Sequence, residues 1–320
     1  MPISEFDLIR RFLQQATAQR EDVVLGIGDD CALLDVPAGR QLAVSMDTLV
    51  EGRHFAPGAD PVALGYKALA VNLSDLAAMG AEPAWATLAL TLPGADTAWL
   101  ESFMTGFGAL AASHGLQLVG GDTTRGPLSI TVQVHGFVDA DAVLRRDAAR
   151  PGDRVYASGT IGDAALALAL GRQPGVEVPV ELQLRLDRPT PRVALGRELA
   201  GRAHAAIDVS DGLVADLGHV CAASAVAATI ELARIPVSAT ARGYLERFGW
   251  QPVLAGGDDY ELLFCVPAEI EATLIGHCRA LGHEISRIGL VEAGTGIVLV
   301  YPDGRMSREV PAGFDHFADA

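Results

Sequence analysis

Positive charge is scarce in this chain. Its 320 residues carry 24 lysines and arginines against 40 aspartates and glutamates, a formal net charge of −16. No stripe of Lys and Arg is available to neutralise a phosphate backbone, which argues against a general nucleic-acid binder. Long apolar runs are missing too. Gly, Asp or Lys breaks each one well short of the roughly 20 residues a membrane span requires. The opening MPISEFDLIRRFLQ has no basic start followed by an apolar stretch, so no secretory leader is read there. A soluble, cytoplasmic protein without a membrane partner is the expectation. Cysteine occurs only at Cys31, Cys221, Cys265 and Cys278, with none of the close pairs of a zinc site. Their apolar surroundings predict four buried free thiols.

Several catalytic signatures are also absent. No glycine-rich loop ends in Gly-Lys-Ser/Thr, so the phosphate-loop mechanism is excluded. Gly26-Ile27-Gly28 lacks the third glycine of a dinucleotide fingerprint and runs into acids instead. There is no Gly-x-Ser-x-Gly elbow, and the histidines form no HExxH pair.

What the chain does have is a core. Half of its residues are apolar and only 20% are charged, enough to bury one large domain or two ordinary ones. Apolar spacing predicts an opening amphipathic helix over 5–18 and a strand from 41 ending near Asp47. A helix follows from Asp60 as cap with Pro61 in the first turn, stopped by Gly80 and Pro83. A strand at 83–93, a helix at 95–115 closed by Gly115, and two strands flanking a polar turn at GGDTTRG complete the first half. Pro151-Gly152 marks a change of character, and a boundary is placed near 148, giving domains 1–148 and 149–320. The second half repeats the style, with helices near 162–171, 192–201, 212–224 and 268–281. Strands are expected at AAID, ELLFCVP, 285–291 and 296–301. Such alternation predicts an α/β architecture of the α+β type.

Five segments carry conspicuous acids: GIGDDCA (26–32), SMDTLVEG (45–52), NLSDLAAMG (72–80), GGDTTRG (120–126) and DVSDGL (208–213). A lone Asp beside Gly is ordinarily a turn former or helix cap. Four of the segments place their acid beside a Gly or Ser turn, NLSDLAAMG places Asp75 within or near a helix, and five such segments invite a second reading. Carboxylates brought together without a counter-ion raise one another's pKa, and Mg2+ is the hard cation that accepts carboxylate, water and phosphate oxygens. GGDTTRG suits either a ligand-approaching loop or a tight hairpin. At DVSDG, a strand-to-helix turn, the first-turn amides favour phosphate, and Ser210 suits either an anion or a cap. His54 reads as a substrate contact or as a structural histidine.

Seven stretches occur in order: GIGDDCALL, SMDTLVEGRHF, YKALAVNLSDLAAMGAEP, LVGGDTTRGPLSITVQVHG, AAIDVSDGLVADLGHV, GGDDYELLF and GFDHF. The set, spanning about residues 5 to 317, closely resembles the bacterial thiamine-monophosphate kinases. These belong to a wider ATP-using family that includes aminoimidazole ribonucleotide synthetase and selenophosphate synthetase. The resemblance implies a two-domain synthetase-like fold. Its N-terminal mixed sheet pairs with a twin across a homodimer, and its C-terminal α/β domain completes the active site. It implies phosphorylation of thiamine monophosphate by ATP, with Mg2+ as cofactor and each site near the domain junction and dimer interface.

Carried onto this chain, the resemblance makes Asp30, Ser45, Asp47, Thr48, Asp75, Asp122, Asp208 and Asp211 the magnesium set. Asp47, Asp75, Asp122 and Asp208 form its charge-neutralising centre, and Asp29 is held in reserve. Gly121, Asp122, Arg146 and Ser210 are expected to contact ATP. His54, Asp258 and Phe314 are expected to contact the substrate, with Glu261 as a reserve acid and Phe317 as the alternative aromatic. Relatives often carry Glu at the position of Asp258 and Tyr or Trp at that of Phe314. The rival functions are another ATP-dependent enzyme of the family acting on an amide or amidine, and a non-catalytic nucleotide or thiamine binder.

Overall fold

The computed structural model describes residues 12, 13, 17 and 19–314. Most of the expected opening helix at 5–18, and Phe317, lie outside the described residues. The chain divides into two compact units, Met1–Leu76 with Ala81–Ala140, and Ala77–Gly80 with Asp141–Ala320.

The first unit opens with a small antiparallel ribbon, β1 (Val23–Leu25) and β2 (Leu33–Leu34), whose connection carries GIGDDCA. It continues through β3 (Arg40–Val50), α1 (Pro61–Ala78), β4 (Glu82–Leu92), α2 (Thr97–Ser113), β5 (Gln117–Arg125) and β6 (Ser129–Asp139). The four long strands form one sheet in the order β3-β6-β4-β5. β4 and β5 are parallel while the other two pairings are antiparallel, so the sheet is mixed. Both helices start as their sequences direct. Asp60 Oδ2 accepts the Ala63 N–H at 3.0 Å, and Asp96 Oδ1 accepts those of Ala98 and Trp99 at 3.0 and 3.1 Å. The helices cross closely through glycine. A Cβ at Gly65 would stand 2.0 Å from Phe103 O, and one at Gly106 would stand 1.9 Å from Val62 O.

Two expectations fail here. β3 does not stop near Asp47 but runs to Val50, because β6 pairs it through Ser129. GGDTTRG is neither a polar turn nor a hairpin. Its residues Gly120 to Arg125 belong to β5, which pairs with β4 and not with β6. Gly121 serves close approach instead. Gly121 has φ +154°, and a Cβ there would lie 1.9 Å from Leu88 O of β4.

Alternation along β3 gives the sheet two unlike faces. Ser45, Asp47 and Leu49 turn toward α1, whereas Val44, Met46 and Val50 on the opposite face are 49%, 60% and 37% exposed.

The second unit is built on seven strands, β7 (Arg154–Ser158), β8 (Ala205–Asp208), β9 (Ala227–Glu231), β10 (Leu262–Val266), β11 (Ile285–Glu292), β12 (Gly296–Val300) and β13 (Met306–Ser307). Their order is β13-β12-β9-β11-β7-β10-β8. β10, which lies between β7 and the edge strand β8, is buried at every position. Helices α3 (Asp163–Gly171), α4 (Val180–Asp187), α5 (Val193–Leu199), α6 (Leu213–Ser224) and α7 (Glu271–Ala280) surround it, with three shorter helical turns between 239 and 255. One core joins Val155, Leu166, Leu170, Ile207, Leu217, Val253 and Leu263. α4, β7 and β9 are elements the sequence reading passed over. Among the described residues no helix is long and apolar enough to cross a membrane.

The thiols divide. Cys221, Cys265 and Cys278 are buried and free, but Cys31, in the connection of the β1–β2 ribbon, is exposed. Burial pushes the Cys221 thiol up to about 11.

Candidate active site

In the first unit, several predicted residues gather where β3 meets α1. Ser45 Oγ donates to Asp75 Oδ2 at 2.5 Å. Two residues along the strand, the Asp47 N–H donates to Asn72 Oδ1 at 3.0 Å. Asn72 is wholly buried, and its Nδ2 donates one helical turn back to Ala68 O. An α1 side chain therefore pins β3 at the acid itself. Thr48 points to the opposite face, where its hydroxyl pairs with Thr131 at 2.8 Å. His54, just after β3, accepts the Val50 N–H on Nδ1 at 3.0 Å. That bond leaves Nε2 as the proton-bearing nitrogen of the neutral ring.

Asp29 and Asp30 part company. Asp29 Oδ1 turns back to accept the Asp30 N–H at 2.8 Å, and both residues are exposed. Asp122 is exposed on β5. Register carries Asp47 through Val132 and Leu88 to Gly121, the neighbour of Asp122. β3 and β5 are the two edges of the sheet, so Asp47 and Asp122 stand three strand spacings apart, about 14 Å. Among the described residues no group of three or more His, Cys, Asp or Glu side chains is placed to hold a metal ion. The donors themselves are carboxylates and hydroxyls, the hard oxygen set that Mg2+ prefers.

In the second unit, Asp208 ends β8 and is 3% exposed, and the turn Val209–Gly212 leads into α6. The backbone amides of this turn are taken by a side chain of the chain itself. Asp216, in the first turn of α6, takes the N–H groups of Ser210, Asp211 and Gly212 on Oδ2 at 3.0, 3.1 and 3.1 Å. An anion from the chain already fills the place of a phosphate. Burial pushes the Asp216 carboxyl up to about 7 despite these bonds, and the charge of Asp211 adds to the rise.

The 256–261 segment lies along the same turn. The Asp258 N–H donates to Ser210 O at 2.9 Å, the Tyr260 N–H to Val209 O at 2.8 Å, and the Val209 N–H to Glu261 O at 2.8 Å. Asp258 and Tyr260 adopt left-handed φ values of 69° and 51°. Such backbone is unfavourable for residues with a Cβ and persists only where neighbours impose it. Tyr260 Oη also donates to Asp258 Oδ1 at 3.1 Å. From the C-terminal side, the Phe314 N–H donates to Asp211 O at 3.0 Å, and the Phe314 side chain is 46% exposed. The fold thus brings Asp208, Ser210, Asp211, Asp258 and Phe314 around one turn.

Glu261 does not suit a substrate acid. It is wholly buried and accepts from Ser158, from Arg185 at 2.6 Å and from Arg192 at 2.6 and 2.5 Å. Its neighbour Asp259 is buried too. Loss of solvent pushes that carboxyl well above its ordinary range, and Oδ2 accepts the Gly162 N–H at 2.8 Å. Arg146 is exposed, and its carbonyl accepts from Ser224 Oγ at 2.8 Å. Asp216, Asn72 and Tyr260 went unremarked in the sequence. Only the spacing of Asp216, one turn into a helix that begins at Gly212, could have signalled a backward-reaching cap.

Comparison with known proteins now decides the family. Residues 28–138 match the AIR synthase related protein N-terminal domain, and residues 150–302 match the corresponding C-terminal domain. The thiamine-monophosphate kinase of Escherichia coli K12 is 47% identical over 329 residues, covering 99% of each chain. The chain belongs to this kinase family. It is accordingly an enzyme of phosphoryl transfer. The Haemophilus influenzae kinase is 43% identical over the full length of both chains. The crystal structure of the Stenotrophomonas maltophilia K279a thiamine-monophosphate kinase superposes with a TM-score of 0.87 at 48% identity, covering 96% of this chain and 99% of that one. A structure named AaThiL complexed with AMPPCP and TMP superposes with a TM-score of 0.77 at 33% identity, covering 88% and 89%.

Proposed function

We propose that this chain transfers the γ-phosphoryl group of ATP to thiamine monophosphate, yielding thiamine diphosphate and ADP. The observation that carries the reading is the end-to-end likeness, at 48% identity and a TM-score of 0.87, to a solved thiamine-monophosphate kinase. The relative named with AMPPCP and TMP supports an adenine nucleotide and thiamine monophosphate as the two ligands here.

The acceptor in such a transfer is an oxygen of the substrate's own phosphate. Its second pKa is about 6, so it is already ionised near neutral pH and needs neither a serine nucleophile nor a strong base. Transfer is direct and in line, with no phosphoenzyme. What the protein must overcome is repulsion between two anions and the entropy of aligning them. Asp30, Ser45, Asp47, Thr48, Asp75, Asp122, Asp208 and Asp211 would hold Mg2+. When bound, the metal supplies neutralisation of the charge on the meeting phosphates.

The remaining residues bind and orient. Gly121, Arg146 and Ser210 serve ATP, and the guanidinium of Arg146 offers a planar fork of donors to phosphate oxygens. His54 serves thiamine monophosphate through the proton on Nε2. Asp258 attracts its cationic ring, and Phe314 offers an aromatic face to it. Residues 1–148 serve as the metal- and ATP-binding and dimerisation domain, and residues 149–320 complete the active site.

The working unit in this reading is a homodimer. Among the described residues, Val44, Met46 and Val50 leave an apolar sheet face exposed, and β3 and β5 are edge strands of the sheet. Sheets with such edges pair or are covered. A second copy whose β5 edge meets the β3 edge of the first brings Asp47 of one chain to Asp122 of the other, which the about 14 Å between the edges forbids within a single chain. The test is an HPLC assay with ATP, Mg2+ and thiamine monophosphate. Equal amounts of ADP and thiamine diphosphate are expected. ADP released without thiamine diphosphate, or turnover only with an amide or amidine acceptor, overturns the reading.

A further inference from the structure

The turn that carries Ser210 and Asp211 is held by a side chain with no role in the reaction as described so far. Asp216 Oδ2 lies within 3.0 to 3.1 Å of three successive backbone nitrogens, those of Ser210, Asp211 and Gly212. Helices ordinarily satisfy such first amides with a capping side chain placed before the helix, or with solvent or an anion. Neither local solution is available here. Gly212 occupies the cap position without a side chain, at φ 124°, and a Cβ there would meet the Ala255 backbone at 2.8 Å. Asp216 does it by reaching back from inside the helix, and it is 3% exposed in that position.

Fixing these amides fixes more than a cap. The carbonyl of Ser210 receives the Asp258 N–H, and that of Asp211 receives the Phe314 N–H. Peptide planes are rigid, so a turn clamped on its N–H side presents its carbonyls and its Asp211 side chain in one arrangement. We infer that Asp216 is a positioning residue for metal and substrate binding: by clamping residues 210–212 it sets Asp211 and the end of β8 at Asp208 for a divalent cation, and closes the helix N-terminus to phosphate. The inference rests on the reading of Asp208 and Asp211 as Mg2+ ligands. A carboxylate is the fitting clamp, because one anionic oxygen can accept three donors where a neutral amide oxygen holds them less tightly.

The test compares full-length Asp216→Ala, Asp216→Asn and Asp211→Asn with the wild type. Mn2+ binding is followed by electron paramagnetic resonance, and the Mg2+ concentration for half-maximal rate is measured alongside. Circular dichroism and thermal melts report the fold. Asp216→Ala is expected to weaken Mn2+ binding about tenfold and to raise the Mg2+ requirement by a similar factor, since roughly 1.4 kcal/mol corresponds to tenfold. Asp216→Asn, which keeps the shape and one acceptor, should fall between Ala and the wild type. If Asp216→Ala does not fold, Asp216→Asn alone decides. A lowered melting temperature with unchanged Mn2+ affinity and Mg2+ requirement overturns the inference, leaving Asp216 a plain helix cap. Weakened Mn2+ binding in Asp211→Asn but not in the Asp216 variants has the same consequence. Normal Mn2+ binding in Asp211→Asn removes the ligand reading and the inference with it.

Discussion

Ser45 Oγ donates a 2.5 Å hydrogen bond to Asp75 Oδ2, joining the middle of β3 to the last turn of α1. The two residues come from different segments of the chain, and both belong to the proposed magnesium set. Asp75→Asn keeps an acceptor for the hydroxyl but removes the charge, so structure and metal binding separate. Steady-state assays should show kcat/KM falling at least 100-fold, with the melting temperature close to that of the wild type. Ser45→Ala should cost about 1 kcal/mol of stability in a urea melt and raise the Mg2+ concentration needed for half-maximal rate. A fully active Asp75→Asn enzyme would remove that acid from the site.

Metal removal and subunit mixing test the arrangement across two copies. EDTA should abolish thiamine diphosphate formation, and added Mg2+ should restore it. Asp47→Asn and Asp122→Asn should each be severely impaired alone. Unfolded together and refolded, they form some mixed dimers in which one site carries both changes and the other carries neither. Random pairing then returns about a quarter of wild-type activity, which is the population-weighted expectation for closed two-fold dimers. Activity no higher than that of the separate variants would place both acids in one chain's site.

Local chemistry wrote much of the fold in a legible way. Asp60 and Asp96 cap helices as acids before helical runs do, because their oxygens meet first-turn amides. The burial of β10 follows from its unbroken LLFCV. Long-range partners were what sequence could not supply. Gly121 reads as turn punctuation until β4 is placed beside it, when its missing side chain is what lets the backbone approach Leu88. α4 directly follows a Pro/Gly-rich loop at 172–180, and with only Leu182 buried it shows no apolar stripe to mark it. At the candidate site, the motif acids stood out by their glycine neighbours. Asp216 and Glu261 did not, since their work depends on amides and arginines distant in sequence or a helical turn away.

Glu261 is the anchor of the segment that bears Asp258. It is wholly buried between Arg185 and Arg192, whose side chains are 22% and 27% exposed. Glu261→Gln leaves two guanidinium groups facing a neutral amide, and breaking a buried pair from one side costs about 3 kcal/mol or more. Urea denaturation should show a lower midpoint with an unchanged slope. Asp258 and Tyr260 hold left-handed backbone immediately before this anchor, at φ 69° and 51°. Relaxation of that strain should move Asp258 and raise KM for thiamine monophosphate several-fold. Unchanged stability and KM would show that Glu261 bears neither load.

Asp22 offers a test of pH dependence in the first unit, away from the acids of the site. Its carboxylate accepts from Arg20 Nε and Nη2 at 2.9 and 2.7 Å and from the Trp85 indole at 2.9 Å. The Arg20 hydrogen bonds, followed by the Trp85 donor, outweigh partial burial and hold Asp22 below its ordinary 3.8. A folded pKa below the unfolded one means that the ionised form is bound more tightly by the fold. The stabilisation is therefore fully present above pH 3.8 and is lost as pH falls through the lower folded value. Asp22→Asn should melt below the wild type at pH 6, and the gap should close as both are acidified below pH 3.8. Because Trp85 is wholly buried and donates to Asp22, its fluorescence should report the variant directly. A gap that stays constant from pH 6 to pH 3 would mean that Asp22 holds β1 to the sheet by shape rather than by charge.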